Sequence, residues 1–185
     1  MKVDPIKRLK DVGSIKKLLA DSPRDSALFI IRINTNLRAS DILNLTIEQK
    51  KHVVVGGEIE ITEKKTGKKS RLTLNEEVVS AIQCLLANYN GRYDASDMLF
   101  QGQRGTITVK TLTRLVKKWC GYINLKGNFG AYTLRKTWGY HQRVRVGTSI
   151  PELMVMFNHT NQKQTLDYLC IQPEEIKGVY MKLSS

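Results

Sequence analysis

The sequence lacks any long apolar run: its longest, Ala27 to Ile31, falls far short of the roughly 20 residues a bilayer-crossing helix needs. The amino-terminal stretch MKVDPIKRLK is polar, so no secretion signal is expected. Cysteine is scarce. Cys84, Cys120 and Cys170 lie 36 and 50 residues apart with no CxxC pair, which argues against a disulfide framework or a zinc cluster and for thiols in a reducing compartment. His52, His141 and His159 share no metal-ligand spacing. A cytoplasmic protein is expected. The most telling absence is local: between Asp97 and Glu152 there is no acidic residue at all.

What remains is ordinary apart from its charge. The 185 residues, 41% hydrophobic and 25% charged, suit one globular domain with its own core and exclude a disordered or fibrous chain. Thirty Lys and Arg against seventeen Asp and Glu leave a formal +13 and a pI near 9.8. That balance favours a polyanionic partner, nucleic acid or an anionic membrane surface, and composition alone does not choose between them.

Periodicity predicts a mixed, mainly helical (α+β) fold with a small three-stranded antiparallel sheet. A first helix is expected over Gly13 to Ala20. A second follows Ser22 with Pro23 in its first turn, and a third, SDILNL, is capped by Ser40 with Arg38 just before the cap. The pattern then changes: HVVV, the Gly56-Gly57 pair, EIEIT, the KKTGKK turn and SRLTL read as three strands over residues 52 to 74. Helical spacing returns from Asn75 and again from Thr108, where Leu112, Leu115, Val116, Trp119 and Ile123 form an inward stripe. Further helices are expected over Thr133 to Val146, Pro151 to Phe157, Gln162 to Cys170, and after Pro173.

The acid-free stretch carries Arg104, Lys110, Arg114, Lys117, Lys118, Lys126, Arg135, Lys136, Arg143 and Arg145. A second cluster, KKTGKKSR, puts five basic residues among eight at a hairpin tip, where side chains reach into a groove or along phosphates. Lys64, Lys68, Lys69, Arg71, Arg114, Lys118 and Lys136 are the candidate DNA contacts. A membrane surface is disfavoured because the helices need their apolar stripes for the core. The GKKS string is not a phosphate-binding loop: position 62 is Thr where that motif needs its first Gly, and Lys69 intervenes before Ser70.

Taken together, LRASDILNL around Arg38, KTGKKSRLTL around Lys65, YTLRKT around Arg135 and NHTNQKQTLDY ending at Tyr168 resemble the tyrosine recombinase, or phage integrase, family. The order and the gaps carry the match, including the nine residues from His159 to Tyr168. The resemblance runs from about Pro5 to Tyr180 and covers that family's catalytic domain only, so residues 1–185 are expected to be one such domain, without the family's amino-terminal core-binding domain.

The resemblance implies a DNA recombinase, carried by a phage or mobile element, that cleaves and rejoins double-stranded DNA through a 3′-phosphotyrosyl intermediate with no metal or nucleotide cofactor. Arg38 and Arg135 would clamp the scissile phosphate with permanently charged, paired donors. Tyr168 would attack phosphorus. Lys65 would protonate the departing 5′ oxygen, with Lys64 and Lys68 on the same turn as alternatives. His159 would hydrogen-bond the phosphate and support the tyrosine.

Two positions depart from the family pattern. Tyr132 stands where the HxxR motif has its His, and a phenol of ordinary pKa near 10 is a poor base at neutral pH. Lys136 replaces a further His directly after the Arg and is a candidate proton acceptor, as is His141 further along. The alternative reading is therefore a catalytically weakened or inactive DNA-binding module of the same fold. The segment after Tyr168 resembles the tail that joins protomers in this family, which implies a monomer in solution and a tetramer on synapsed DNA. Packing back on its own core is the equal alternative for such a tail. A relaxing topoisomerase of similar core remains open, and an RNA-binding domain is disfavoured because neither an aromatic-rich strand nor a GxxG loop is present.

Overall fold

Helices make up about half of the described residues, and several begin where the sequence supplies a cap. The computed structural model describes residues 3–49, 52–62, 67, 69–102 and 105–170. Three helices open it: α1 (Leu9–Leu18), α2 (Pro23–Asn34) and the short α3 (Ala39–Leu43). A hairpin follows, β1 (Glu58–Thr62) and β2 (Lys69–Thr73), then α4 (Glu76–Asn88). A minimal hairpin, β3 (Gln101–Gly102) and β4 (Gly105–Thr106), leads into α5 (Val109–Tyr122) and α6 (Ala131–His141). A π-helical turn (Gln142–Val146) then precedes α7 (Ile150–Phe157) and α8 (Gln162–Leu169).

Cap chemistry explains the starts of α4, α5, α7 and α8. The Asn75 side chain accepts from the Val78 amide at 2.9 Å ahead of α4, and Asn161 accepts from Gln164 at 2.9 Å ahead of α8. Ser149 and Glu152 form a reciprocal box at α7, where Pro151 spares an amide that has no intrahelical partner. Three helix boundaries differ from expectation. Helix α1 begins earlier, because Arg8 pairs with Asp11 at 2.8 Å across the first turn. Arg38 itself, extended at φ −71° and ψ 155°, is the residue ahead of α3, which leaves Ser40 inside the helix rather than capping it. The α6 segment stops being regular at His141, where the π-helical turn takes over until Gly147 reverses the chain at φ +82°.

The mainly helical mixed architecture is the expected one, but the described strands form two two-stranded antiparallel sheets rather than one of three. Residues 53 to 57 turn instead of extending. Of the three valines there, Val53 is buried while Val54 and Val55 are exposed, so that stretch has no inward face to pair as a strand. Gly56 at φ +76° closes the turn, and its amide donates to the Leu74 carbonyl at 2.9 Å. The β1–β2 register pairs Glu60 with Arg71 and Thr62 with Lys69, burying Ile59 and Ile61 on the inner face.

The main core joins α1 through α5 and the first turn of α6, with Phe29 of α2 edge-on to Trp119 of α5 at 5.9 Å. A second, smaller cluster lies apart: Leu153, Phe157 and Leu169, flanked by Trp138, Tyr140, Ile150 and Tyr168, fastens α7 and α8 to the outer half of α6. Gly139 permits this. A Cβ there would stand 2.4 Å from Phe157 Cζ and 2.7 Å from Leu169 Cδ2, so only glycine lets the helices approach so closely.

Candidate active site

The turn ahead of α3 is held from several sides, and Arg38 follows directly from it. The Asn36 carbonyl accepts from Arg135 Nε at 2.5 Å, the Asn36 side chain donates to the Met156 carbonyl at 2.5 Å, and the Leu37 carbonyl accepts from Arg32 Nη1. Arg135, almost fully buried in α6, also donates to the Phe157 carbonyl at 3.4 Å and lies 4.9 Å over the Phe157 ring. One guanidinium thereby fixes the Arg38 turn relative to the end of α7.

Phe157 is the hub of the other half. Its ring stacks on His159 at 5.3 Å and 22°, and lies 5.0 Å from the Tyr168 ring. His159 and Tyr168 meet edge to face at 5.3 Å. His159 Nδ1 is 2.9 Å from the buried Thr165 hydroxyl in the first turns of α8, which sets the orientation of the imidazole. Burial first, then the positive charges of Arg135 and Arg38, push the His159 pKa down to about 4, so its imidazole is neutral at physiological pH. Arg38, Arg135 and His159 therefore share one electrostatic neighbourhood, with Tyr168 beside them.

The Tyr168 hydroxyl is buried beside the Arg135 guanidinium, which acts on it as a donor from outside ideal hydrogen-bond geometry. Burial raises its pKa, while the charges of Arg135 and Arg32 pull it down. The phenol is neutral and lies next to a cluster of cations, where an entering anion would be held against it. An open cleft of about 730 Å³, lined by Lys136, Asn161, Lys163, Gln164, Asp167 and Tyr168, gives access from the α8 side.

The structure thus brings together Arg38, Arg135, His159 and Tyr168 from four separate segments. Tyr132, on the first turn of α6, is half exposed and within electrostatic reach of Tyr168 and Arg32. Lys136 is not on an open basic surface: it is buried, with Nζ 5.0 Å over the Tyr168 ring and 3.5 Å from Cys170 Sγ. One turn of helix after Tyr132 points it inward, so it belongs with the tyrosine rather than with a DNA-facing stripe. His141 is also drawn elsewhere, with Nε2 donating to the Ile6 carbonyl at 3.1 Å. Lys69 and Arg71 are exposed on β2 and paired with Glu60 at 2.8 Å and Glu58 at 3.8 Å. Arg114 and Lys118 are exposed on α5, four residues apart on one helix face, with Lys118 Nζ 5.4 Å over the Tyr122 ring. Lys64, Lys65 and Lys68 lie outside the described residues, as does the tail after Cys170.

Three contributors were missed in the sequence: Arg32, Thr165 and the Gly139–Phe157 pair. The burial of Arg32, though not its role, was detectable, since it sits three and four residues after Phe29 and Leu28 on the buried face of α2. Among the described residues, no group of three or more His, Cys, Asp or Glu is arranged to hold a metal ion. No described helix is long and apolar enough to cross a membrane.

The phage integrase family model matches residues 6–175. A probable integrase/recombinase, YoeC of Bacillus subtilis, is 32% identical over 183 residues, 96% of this chain and 95% of that protein. Tyrosine recombinase XerC of Caldanaerobacter subterraneus subsp. tengcongensis is 29% identical over 90% of this chain, which spans 48% of that longer protein. Among solved structures, XerA recombinase superposes with a TM-score of 0.78 at 18% identity, covering all of this chain and 65% of that one. XerH recombinase, solved on its DNA substrate after cleavage, gives 0.76 at 16% identity over all of this chain and 54% of that one.

Proposed function

Because the chain belongs to the phage integrase family, we propose that it cuts and rejoins double-stranded DNA with Tyr168 as the nucleophile. The phenolic oxygen attacks phosphorus, the bond to the 5′ oxygen breaks, and the chain holds the DNA as a 3′-phosphotyrosyl ester that conserves the bond for religation. Arg38 and Arg135 neutralise the non-bridging oxygens, with paired guanidinium donors already in place before reaction. His159, with Nδ1 committed to Thr165, takes the phenolic proton through Nε2 and, so protonated, donates a hydrogen bond to the phosphate. Lys65 supplies the proton to the 5′ oxygen, with Lys64 and Lys68 as its alternatives. Tyr132 contributes a hydrogen bond at the phosphate. Lys64, Lys68, Lys69, Arg71, Arg114 and Lys118 contact the DNA backbone, and four copies assemble on synapsed sites.

The observation that carries this reading is the convergence of the His159 and Tyr168 rings at 5.3 Å with the Arg135 guanidinium, from residues 33 positions apart in the chain. Incubation with nicked suicide duplexes bearing the attachment site from the genomic context, resolved on denaturing gels, tests it. A covalent adduct that Tyr168→Phe abolishes supports the reading, and DNA binding with no adduct refutes it. A second reading, a binding module that no longer cleaves, draws on one observation. Lys136, standing where the family pattern has a further His, has its Nζ 3.5 Å from Cys170 Sγ and 5.0 Å over the Tyr168 ring.

A further inference from the structure

Arg32, in the last turn of α2, is fully buried. A buried arginine is expensive to desolvate, and well-packed apolar side chains commonly serve stability equally well or better in such places. Its contacts point to another role. Nη1 donates to the Leu37 carbonyl, immediately before Arg38, and Nη2 donates to the Ala131 carbonyl at 2.9 Å, immediately before Tyr132. One side chain thus bridges the turn that presents the first arginine and the helix start that presents Tyr132 and, one turn on, Arg135. The preceding carbonyl, Asn36, is held by Arg135 itself. Two consecutive carbonyls ahead of Arg38 are therefore anchored by two guanidinium groups.

The charge matters as well as the bonds. Burial lowers the Arg32 pKa only to about 10, so the group stays cationic at neutral pH, attracted by Asp41 and repelled by Arg135. Tyr168 feels it together with Arg135, Lys136 and Tyr132 of α6 and, ahead of α8, His159. We propose that Arg32 is a positioning residue of the cleavage site, holding the Arg38 turn against the start of α6 and keeping a fixed positive charge behind Tyr168. This rests on the reading of Tyr168 as the nucleophile. A tie of this kind acts on the chemical step, because DNA approaches the exposed cations and not a side chain sealed beneath the turn.

The test has one readout on the free protein and one on cleavage. With 3-fluorotyrosine, a more acidic phenol, placed at position 168 of the full chain, ¹⁹F NMR follows its titration. Arg32→Met is expected to move that midpoint up by about one pH unit. On suicide duplexes it is expected to lower the single-turnover rate at saturating DNA about tenfold while apparent DNA affinity stays within about twofold. Arg32→Lys, which keeps the charge but not the fork, is expected to fold, to restore the midpoint and to recover the rate only in part. If Arg32→Met does not fold, Arg32→Lys decides alone: a wild-type cleavage rate overturns the tie. A folded Arg32→Met with an unmoved midpoint or a wild-type rate overturns the proposal. Absence of any adduct from the parent protein would count against the nucleophile reading instead, and the ¹⁹F shift would still report on Arg32.

Discussion

Gly139 gives the sharpest packing test, because its replacement acts on the site through geometry and touches no reacting group. Placing Ala there adds one methyl group that would stand 2.4 Å from Phe157 Cζ and 2.7 Å from Leu169 Cδ2, both fully buried. Overpacking a close-packed interior costs about 1–3 kcal/mol, and two contacts this close belong at the upper end. Helix propensity works the other way, since Ala is favoured over Gly in a helix by about 1 kcal/mol. The net destabilisation is then about 2 kcal/mol, a fall of about 4–8 °C in Tm for a chain of this size. Phe157 must yield, and with it the stacked His159, the Tyr168 ring and the carbonyl that Arg135 holds. A misplacement approaching 1 Å at such a site costs on the order of 100-fold in rate. The control is Gly121→Ala in α5, where a Cβ meets nothing within 4 Å and the propensity term stands alone. Thermal denaturation and single-turnover cleavage of both variants form the assay. If Gly139→Ala is as stable as Gly121→Ala and cleaves at the parent rate, the close-approach argument is wrong.

Three further outcomes follow from the same geometry. His159 is neutral down to about pH 4 when folded but protonates near 6.5 when unfolded, so unfolding takes up a proton between those values. Stability is therefore fully present above about pH 6.5 and declines as pH falls through that window; Tm measured from pH 7.5 to 4.5 should show this slope in the parent and a shallower one in His159→Gln. Thr165→Val removes the hydroxyl 2.9 Å from His159 Nδ1 and should lower cleavage about tenfold, for a stability cost of about 1 kcal/mol. Cleavage unchanged in Thr165→Val would show that His159 needs no such anchor. Asn75→Ala deletes the cap on α4 and should cost about 1 kcal/mol of stability in chemical denaturation, with no change in cleavage.

Much of this was legible in the sequence where local rules govern. Asn75, Thr108, Ser149 and Asn161 sit at helix starts with their side chains accepting backbone amides, and the stripe through Leu112, Val116 and Trp119 turns inward as its period predicts. Arg38, Arg135, His159 and Tyr168 could be picked out by their motif spacing. Residues whose roles depend on tertiary neighbours could not. Val54 and Val55 read as strand but face solvent, because strand pairing needs a buried face that only Val53 has. Lys136 reads as one more cation in an acid-free run, and only its place on α6 turns it beneath the Tyr168 ring. Arg32 lies in an otherwise apolar segment, and its role comes from two carbonyls 5 and 99 residues away.

In the proposed reaction Tyr168 carries the DNA during strand exchange. Peptide mapping by mass spectrometry of the covalent complex trapped on a suicide duplex, after nuclease digestion, tests it most directly. The expected product is a nucleotide remnant linked through phosphate to the phenolic oxygen of Tyr168, with none on Tyr132 or Tyr140. A remnant on another tyrosine, or a trapped complex that persists in Tyr168→Phe, would contradict it.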